Sequence, residues 1–255
     1  MGSIEQARDG SQRLVPADGA PRVGTFVKTN AVQVLEVLAL APMHFVVIDA
    51  EHAPLDRGDI DLLVLAGRAA GLPVLVRVAD TSAAGIGSVL DVGAAGLLLP
   101  HVDSAGQARE LVARTRCLGG QRGFSSSTRA AGYGTLAMAA AVQAVDRCFV
   151  MAQIESAAAV DAAEAIAAVD GVDGLFVGRA DLALSFGEVD SRSARVLAAT
   201  QRVLDVARAA GKAAGMAVGT VAERDEFAAC GANWFLVGSD QSLLRQAAQA
   251  AAQFG

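Results

Sequence analysis

Cysteine, histidine and lysine are all scarce in this 255-residue chain, and each shortage removes a class of chemistry. The three cysteines, Cys117, Cys148 and Cys230, are odd in number and far apart, so they supply neither a disulfide framework nor a zinc-ligand spacing. The three histidines are His44, His52 and His101. His44 opens a strand-forming run and His52 follows it; at roughly 3.3 Å per residue the two lie at opposite ends of that strand, which excludes a histidine-built zinc site. Lys28 and Lys212 are the only lysines. Lys212 falls in a turn ahead of a later strand, leaving Lys28 as the one candidate for Schiff-base catalysis.

Other absences narrow the field further. No apolar run approaches the ~18 residues that a membrane-spanning helix needs. Residues 1–10 are polar and lack the apolar stretch of a signal peptide, and the start misses the Ser or Thr that N-myristoylation requires at the sixth position. A reducing cytoplasm is the expected compartment. The net charge of −6, without a basic stripe, argues against nucleic acid as a partner. There is no G-x-G-x-x-G after a strand and no G-x-x-x-x-G-K-[ST], so the usual nucleotide loops are missing. Residues 123–127 do not complete the G-x-S-x-G elbow of a serine hydrolase.

What is present is a compact, loop-punctuated pattern: 53% hydrophobic residues and 27 glycines. Apolar runs recur at 24–27, 45–48, 74–78, 96–99, 149–154, 174–177, 215–218 and 234–237. Alanine-rich segments with helical spacing lie between them, as at 60–70, 104–117 and 157–169. Eight strands alternating with helices in a chain of this length predict a closed (β/α)8 TIM barrel over an open doubly wound sheet. We expect a polar N-terminal extension at 1–21 and a single barrel domain over 22–255. Two connections are long, one between strands four and five and one after strand six, as functional or interface loops often are.

In parallel α/β folds the chemistry collects at the carboxyl ends of the strands. Asp49-Ala50-Glu51-His52 closes the run 45–48 and sets two acids and an imidazole at such an end. Read in order, the other strand ends give Lys28, Arg77, His101 and Asp103, Gln153 and Glu155, Gly178 to Asp181, Gly219, and Ser239 with Asp240. Glu155 and Asp181 end adjacent strands, so their carboxylates can converge as hard oxygen ligands for Mg2+ or Mn2+. Two bland readings stand beside these: His52 as a satisfied loop histidine, and Glu155 and Asp181 as helix-capping acids.

Taken together, several fragments resemble one family, the HpcH/HpaI aldolases, which are metal-dependent (class II) pyruvate aldolases. They are Asp49-Ala50-Glu51-His52-Ala53-Pro54, Leu75-Val76-Arg77, Leu90-Asp91-Val92-Gly93-Ala94 leading to Leu99-Pro100, and Arg122-Gly123. Gln153-Ile154-Glu155-Ser156 follows, then the stretch from Gly171 to Gly178 ending in Ala180-Asp181-Leu182. The resemblance runs from about residue 22 to residue 247 and implies the same barrel. It also implies a C-terminal helix exchanged between subunits of a dimer, which can assemble into a hexamer.

Carried over residue by residue, the resemblance makes Glu155 and Asp181 the ligands of a divalent ion, Mg2+ or Mn2+ with Co2+ or Zn2+ as alternatives. Gln153, Gly178 and the backbone at Ala180 would bind the 2-oxo acid. His52 would be the acid/base, Arg77 would stabilise the enolate oxygen, and Asp49 would orient His52 on the same chain. Asp91 ends the helix before strand four and so lies at the bottom of its own barrel. The matching family aspartate raises the basicity of the catalytic histidine, which Asp91 could do only for His52 of a neighbouring subunit; the competing reading is an ordinary helix-end acid. Three departures from the family pattern bear on the aldehyde half of the substrate: Phe26 in place of a tryptophan, Leu118-Gly119 in place of a proline pair, and Arg179 in place of a proline.

The implied activity is reversible cleavage of a 4-hydroxy-2-oxo acid to pyruvate and an aldehyde. The alternatives are a citrate-lyase-β-like lyase acting on a CoA thioester and a non-catalytic 2-oxo-acid-binding barrel.

Overall fold

The computed structural model describes residues 14–15 and 20–252. Eight strands form a closed, all-parallel barrel in sequential order, with the last pairing back onto the first. They are β1 (Arg22–Val27), β2 (Phe45–Asp49), β3 (Val74–Arg77), β4 (Gly96–Leu99), β5 (Phe149–Ile154), β6 (Gly174–Val177), β7 (Ala213–Val218) and β8 (Trp234–Ser239). The helices are α1 (Val32–Ala39), α2 (Arg57–Ala69), α3 (Ala83–Asp91), α4 (Ala105–Thr115) and α5 (Met138–Val145). Then come α6 (Ala157–Asp161), α7 (Ala163–Ala167), α8 (Arg179–Ser185), α9 (Ala194–Ala209), α10 (Val221–Ala229) and α11 (Asp240–Ala251). The expected (β/α)8 barrel is therefore the observed fold. The long connection expected after strand six opens with α8, and Asp181 lies in its first turn.

Side chains of a strand alternate between its two faces, and a closed barrel turns that alternation into inside and outside. Val46 and Ile48 of β2, Val74 and Val76 of β3, and Val150 and Ile154 of β5 pack outward into the core shared with the helices. Phe45, Val47, Leu75, Phe149, Met151, Phe176 and Trp234 fill the interior. The same parity continued upward brings Asp49, Arg77 and Gln153 to the interior stripe of their strands. Apolar residues thus fill the lower interior layers and polar residues the top one.

The interior is crowded at the bottom. The Phe45 and Trp234 rings stack with centroids 3.9 Å apart, and Phe149 and Phe176 lie around Trp234. Gly24 makes this possible, because a Cβ there would sit 2.5 Å from the Phe45 carbonyl oxygen and 2.6 Å from its ring. Leu14 closes the same cluster and is fully buried. The expected polar extension, 1–21, lies largely outside the described residues; Leu14 is an apolar exception within it.

Leu14→Ala should lower the unfolding free energy by about 2–5 kcal/mol, as for other buried leucines. A loss below about 0.5 kcal/mol in urea titrations would mean that the segment does not plug the barrel.

Candidate active site

Asp49 and Arg77 are Cα partners in the β2–β3 register, both at strand ends. The Arg77 side chain donates from Nε to Asp49 Oδ1 at 2.9 Å and from Nη2 to Oδ2 at 2.7 Å. Lys28 Nζ lies 2.7 Å from Asp49 Oδ2, and the His52 backbone N–H donates to Oδ1 at 3.1 Å. Asp49 is fully buried and Arg77 nearly so. Burial works to raise the Asp49 carboxyl, but hydrogen bonds from Arg77 and Lys28 outweigh it and bring the pKa down from 3.8 to about 2. Asp49 thus meets His52 through the peptide N–H and not through the ring, its oxygens being shared with the two cations. Phe26 lies beneath the cations, with Arg77 Cζ 4.8 Å and Lys28 Nζ 5.9 Å from its ring centroid. Asp240 accepts the backbone N–H groups of Lys28 and Thr29, both at 3.0 Å, which fixes the chain leaving β1.

Glu51 links this cationic side of the mouth to the acidic side. Its Oε2 is 3.4 Å from Arg77 Nε and 3.9 Å from His52 Nε2, while its Oε1 is 3.2 Å from His101 Nε2. His101 Nδ1 is in turn 2.9 Å from Glu155 Oε1, which also accepts the His101 backbone N–H at 2.7 Å. His101 adopts a left-handed φ of 57°, a conformation uncommon for a residue with a Cβ and frequent at functional sites. The His52 ring is more than half exposed.

On the acidic side, Glu155 is buried and Gln153 Nε2 donates to its Oε2. Burial raises the Glu155 carboxyl above its ordinary value; hydrogen bonds from Gln153 and His101 offset this in part, and the negative charge of Asp181 adds to the rise. Gly178 precedes α8 and must be glycine, since a Cβ there would lie 2.9 Å from Glu155 Oε2 and 3.2 Å from Gln153 Nε2. Gln153 Oε1 is buried with no hydrogen-bond partner.

Among the described residues, no group of three or more His, Cys, Asp or Glu is arranged to hold a metal ion. The donors present still fit a hard divalent cation. The negative charge of Asp181 adds to the cost of ionising Glu155, and the unpartnered amide oxygen of Gln153, whose nitrogen bonds Glu155, is buried. A cation bound chiefly by two carboxylates keeps positions for water and substrate oxygens, as Mg2+ does.

Asp91 stands apart from this cluster. It ends α3, one turn before β4, and so lies at the amino-terminal face of its own barrel. There it pairs with Arg122 at 2.7 Å and remains about one-third exposed. Arg122 also donates to the Val145 carbonyl, which ties Asp91 to the long connection between β4 and β5. Sequence reasoning placed Glu51 and His101 at the mouth without giving them roles, and offered Lys28 there only as the candidate for Schiff-base catalysis. The imidazole set between Glu51 and Glu155 depends on the spacing of β2, β4 and β5 around the ring, which no local pattern encodes.

Asp49→Asn removes one charge from a nearly buried pair and should cost about 3–5 kcal/mol at neutral pH. A carboxylate held below its unfolded pKa contributes stability that is complete above pH ~4 and fades as the pH falls toward 2. The gap between wild type and variant in denaturant titrations should therefore narrow on acidification. A gap that stays constant from pH 7 to about pH 3 would contradict the ion-pair account.

With the geometry in place, comparison with known proteins is specific. A family model described as HpcH/HpaI aldolase/citrate lyase matches residues 22–247. The chain is 36% identical to a hydroxypyruvate/pyruvate aldolase of Paraburkholderia phytofirmans, over 91% of this chain and 92% of that protein. It is 38% identical to a 5-keto-4-deoxy-D-glucarate aldolase of Shigella dysenteriae, over 84% of each. The crystal structure of an HpcH/HpaI aldolase/citrate lyase family protein from Burkholderia cenocepacia superposes with a TM-score of 0.90 at 35% identity, covering 95% of this chain and 97% of that one.

Proposed function

The chain belongs to the HpcH/HpaI aldolase/citrate lyase family and is a carbon–carbon lyase of the retro-aldol kind, and on that premise we propose that it cleaves a 4-hydroxy-2-oxo acid reversibly to pyruvate and an aldehyde. The observation that carries this reading is the acidic side of the mouth. Glu155, raised by burial and by Asp181, sits beside the unpartnered Gln153 Oε1 in a barrel that presents Arg77 and His52 at the same face. A divalent cation held by Glu155 and Asp181 would supply Lewis-acid stabilisation of the charge that develops on the 2-oxo group.

The chain's own residues do the rest. Gln153, Gly178 and the Ala180 backbone seat the 2-oxo acid, with Gly178 leaving the space that a Cβ would fill. Arg77 is held from one side by Asp49, so its orientation is set before substrate arrives and it can face the enolate oxygen. His52, exposed at the mouth, takes the proton from the C4 hydroxyl as the C3–C4 bond breaks, and returns one to C4 oxygen in the condensation direction. Lys28 is bound to Asp49 and does not form an imine.

We further propose that the working unit is at least a dimer, in which Asp91 of one copy supports His52 of another and α11 is exchanged. Two features support this: Asp91 faces away from its own site, and α11 leaves Leu244 about 72% exposed. Residues 22–255 would form one domain, acting in the cytoplasm on small-molecule substrates. No helix among the described residues is long and apolar enough to cross a membrane.

Pyruvate in D2O provides a direct test, since the enolate forms without an aldehyde. Exchange at C3, followed by proton NMR, should require Mg2+ or Mn2+, stop with a chelator and be absent in Glu155→Ala. Arg77→Lys should lower kcat about 10²–10³-fold, because the planar fork is lost although the charge remains. Chelator-resistant turnover with pyruvate trapped on Lys28 by borohydride would overturn the assignment. Mixing inactive His52→Ala and Asp91→Asn subunits should restore part of the activity; no recovery after verified subunit exchange would remove the shared-site proposal alone.

A further inference from the structure

Helix α8 carries Ala180 and Asp181 into the site, yet nothing local fixes where it starts. Helices α2, α3, α4, α6, α10 and α11 begin on side-chain caps from Asp56, Ser82, Ser104, Ser156, Thr220 and Ser239. The N-cap of α8 is Gly178, which has no side chain to offer. A capping Ser or Asp is barred there, because its Cβ would fall 2.9 Å from both Glu155 Cβ and Oε2. The close approach that builds the acidic side of the mouth thus removes the usual device for anchoring the helix that follows.

The anchor comes from the next residue. Arg179 is the first residue of α8, and its Nη2 donates to the Ala217 carbonyl at 3.0 Å and to Glu223 Oε1 at 2.6 Å. Its guanidinium carbon lies 4.7 Å from the centroid of the Phe227 ring. Glu223 is itself fixed: its Oε2 accepts the Gly219 N–H at 2.7 Å, and Arg192 Nη1 reaches its Oε1 at 3.3 Å. One side chain therefore ties the start of α8 to the end of β7 and the first two turns of α10.

This clamp is poorly designed for stability. Arg179 Nε and Nη1 are both buried without hydrogen-bond partners, a desolvation cost that an apolar side chain of similar size would avoid. Removing Arg179 would not strand Glu223, which keeps Gly219 and Arg192. A residue that costs stability while fixing the backbone one and two positions ahead of Ala180 and Asp181 is explained by geometry.

We propose that Arg179 is a positioning residue, whose clamp on Ala217, Glu223 and Phe227 sets the Ala180 backbone and the Asp181 carboxylate for cation and 2-oxo-acid binding. This rests on the reading of Asp181 as a metal ligand. Two substitutions separate position from charge. Arg179→Met removes the clamp and keeps an apolar chain over Phe227. Arg179→Pro also removes it but restores a local constraint, since proline suits the first helical position and Gly178, at φ −87° and ψ 78°, is outside the α region that a following proline disfavours.

The readouts are Mn2+ affinity by electron paramagnetic resonance titration and thermal midpoint, both on the full-length protein. Arg179→Met should bind Mn2+ about tenfold more weakly, the lower end for groups that orient metal ligands, with an unchanged or higher midpoint. Arg179→Pro should return to within about threefold of wild type. Met-variant affinity equal to wild type would overturn the proposal, and so would equal weakening in both variants. If Arg179→Met does not fold, Glu223→Gln decides: it loosens the clamp with the arginine retained and should weaken Mn2+ binding, and unchanged affinity would overturn the proposal. Wild-type protein that takes up no Mn2+ would instead overturn the metal reading itself, and the proposal with it.

Discussion

The buried pair between Asp49 and Arg77 is the constraint on which the barrel mouth depends. A guanidinium keeps its charge, so burying one on an interior strand position without a partner is costly, and the β2–β3 register delivers a partner directly opposite. Asp49 then also holds Lys28 and the His52 peptide, so β1, β2 and β3 are tied at one carboxylate. The fork uses Nε and Nη2 of Arg77 and leaves Nη1 without a protein partner among the described residues. In the proposed reaction that nitrogen would be the one to meet the developing negative charge, with its direction set by the other two.

The two buried carboxylates of the mouth are pushed in opposite directions. Burial works to raise both; Asp49 has two cations and falls to about 2, whereas Glu155, eased only by Gln153 and His101 and opposed by the anion Asp181, rises. Environments that separate two like groups commonly mark an active site. The lowered one is already neutralised and serves as scaffold. The raised one lacks a cation, and a divalent ion shared with Asp181 would supply the charge that the chain does not. Lys28 and Arg77, which could have filled that need, are held on the far side of Glu51 and His101.

Much of this was legible in the sequence because a parallel barrel writes its geometry into local patterns. Strands buried on both faces read as short apolar runs, and the polar residue that ends each run is already at the mouth. The sequence alone therefore puts Asp49, Arg77, Gln153 and Glu155 at the mouth. It does not show the contacts between strands. Nothing in Asp49-Ala50-Glu51-His52 shows that the carboxylate turns to Arg77 and away from the imidazole, because the β2–β3 register is set by the whole ring. His101, bridging Glu51 and Glu155 from β4, is hidden for the same reason. Leu14 sits in a polar stretch whose composition gives no sign that it seals the barrel floor, whereas the place of Asp91 at the bottom of its own barrel was legible from the element order alone. The Arg179 clamp joins residues 38 and 44 positions apart, beyond the reach of any motif.

Glu155 and Asp181 as a cation site facing Arg77 is the central claim. Anomalous diffraction from crystals soaked with Mn2+ and pyruvate tests it most directly. The account predicts one manganese peak between the Glu155 and Asp181 carboxylates, with the pyruvate 2-oxo oxygen turned toward Arg77 and its methyl group toward the side of His52. Manganese bound elsewhere, or pyruvate seated with no metal between those two carboxylates, would contradict it.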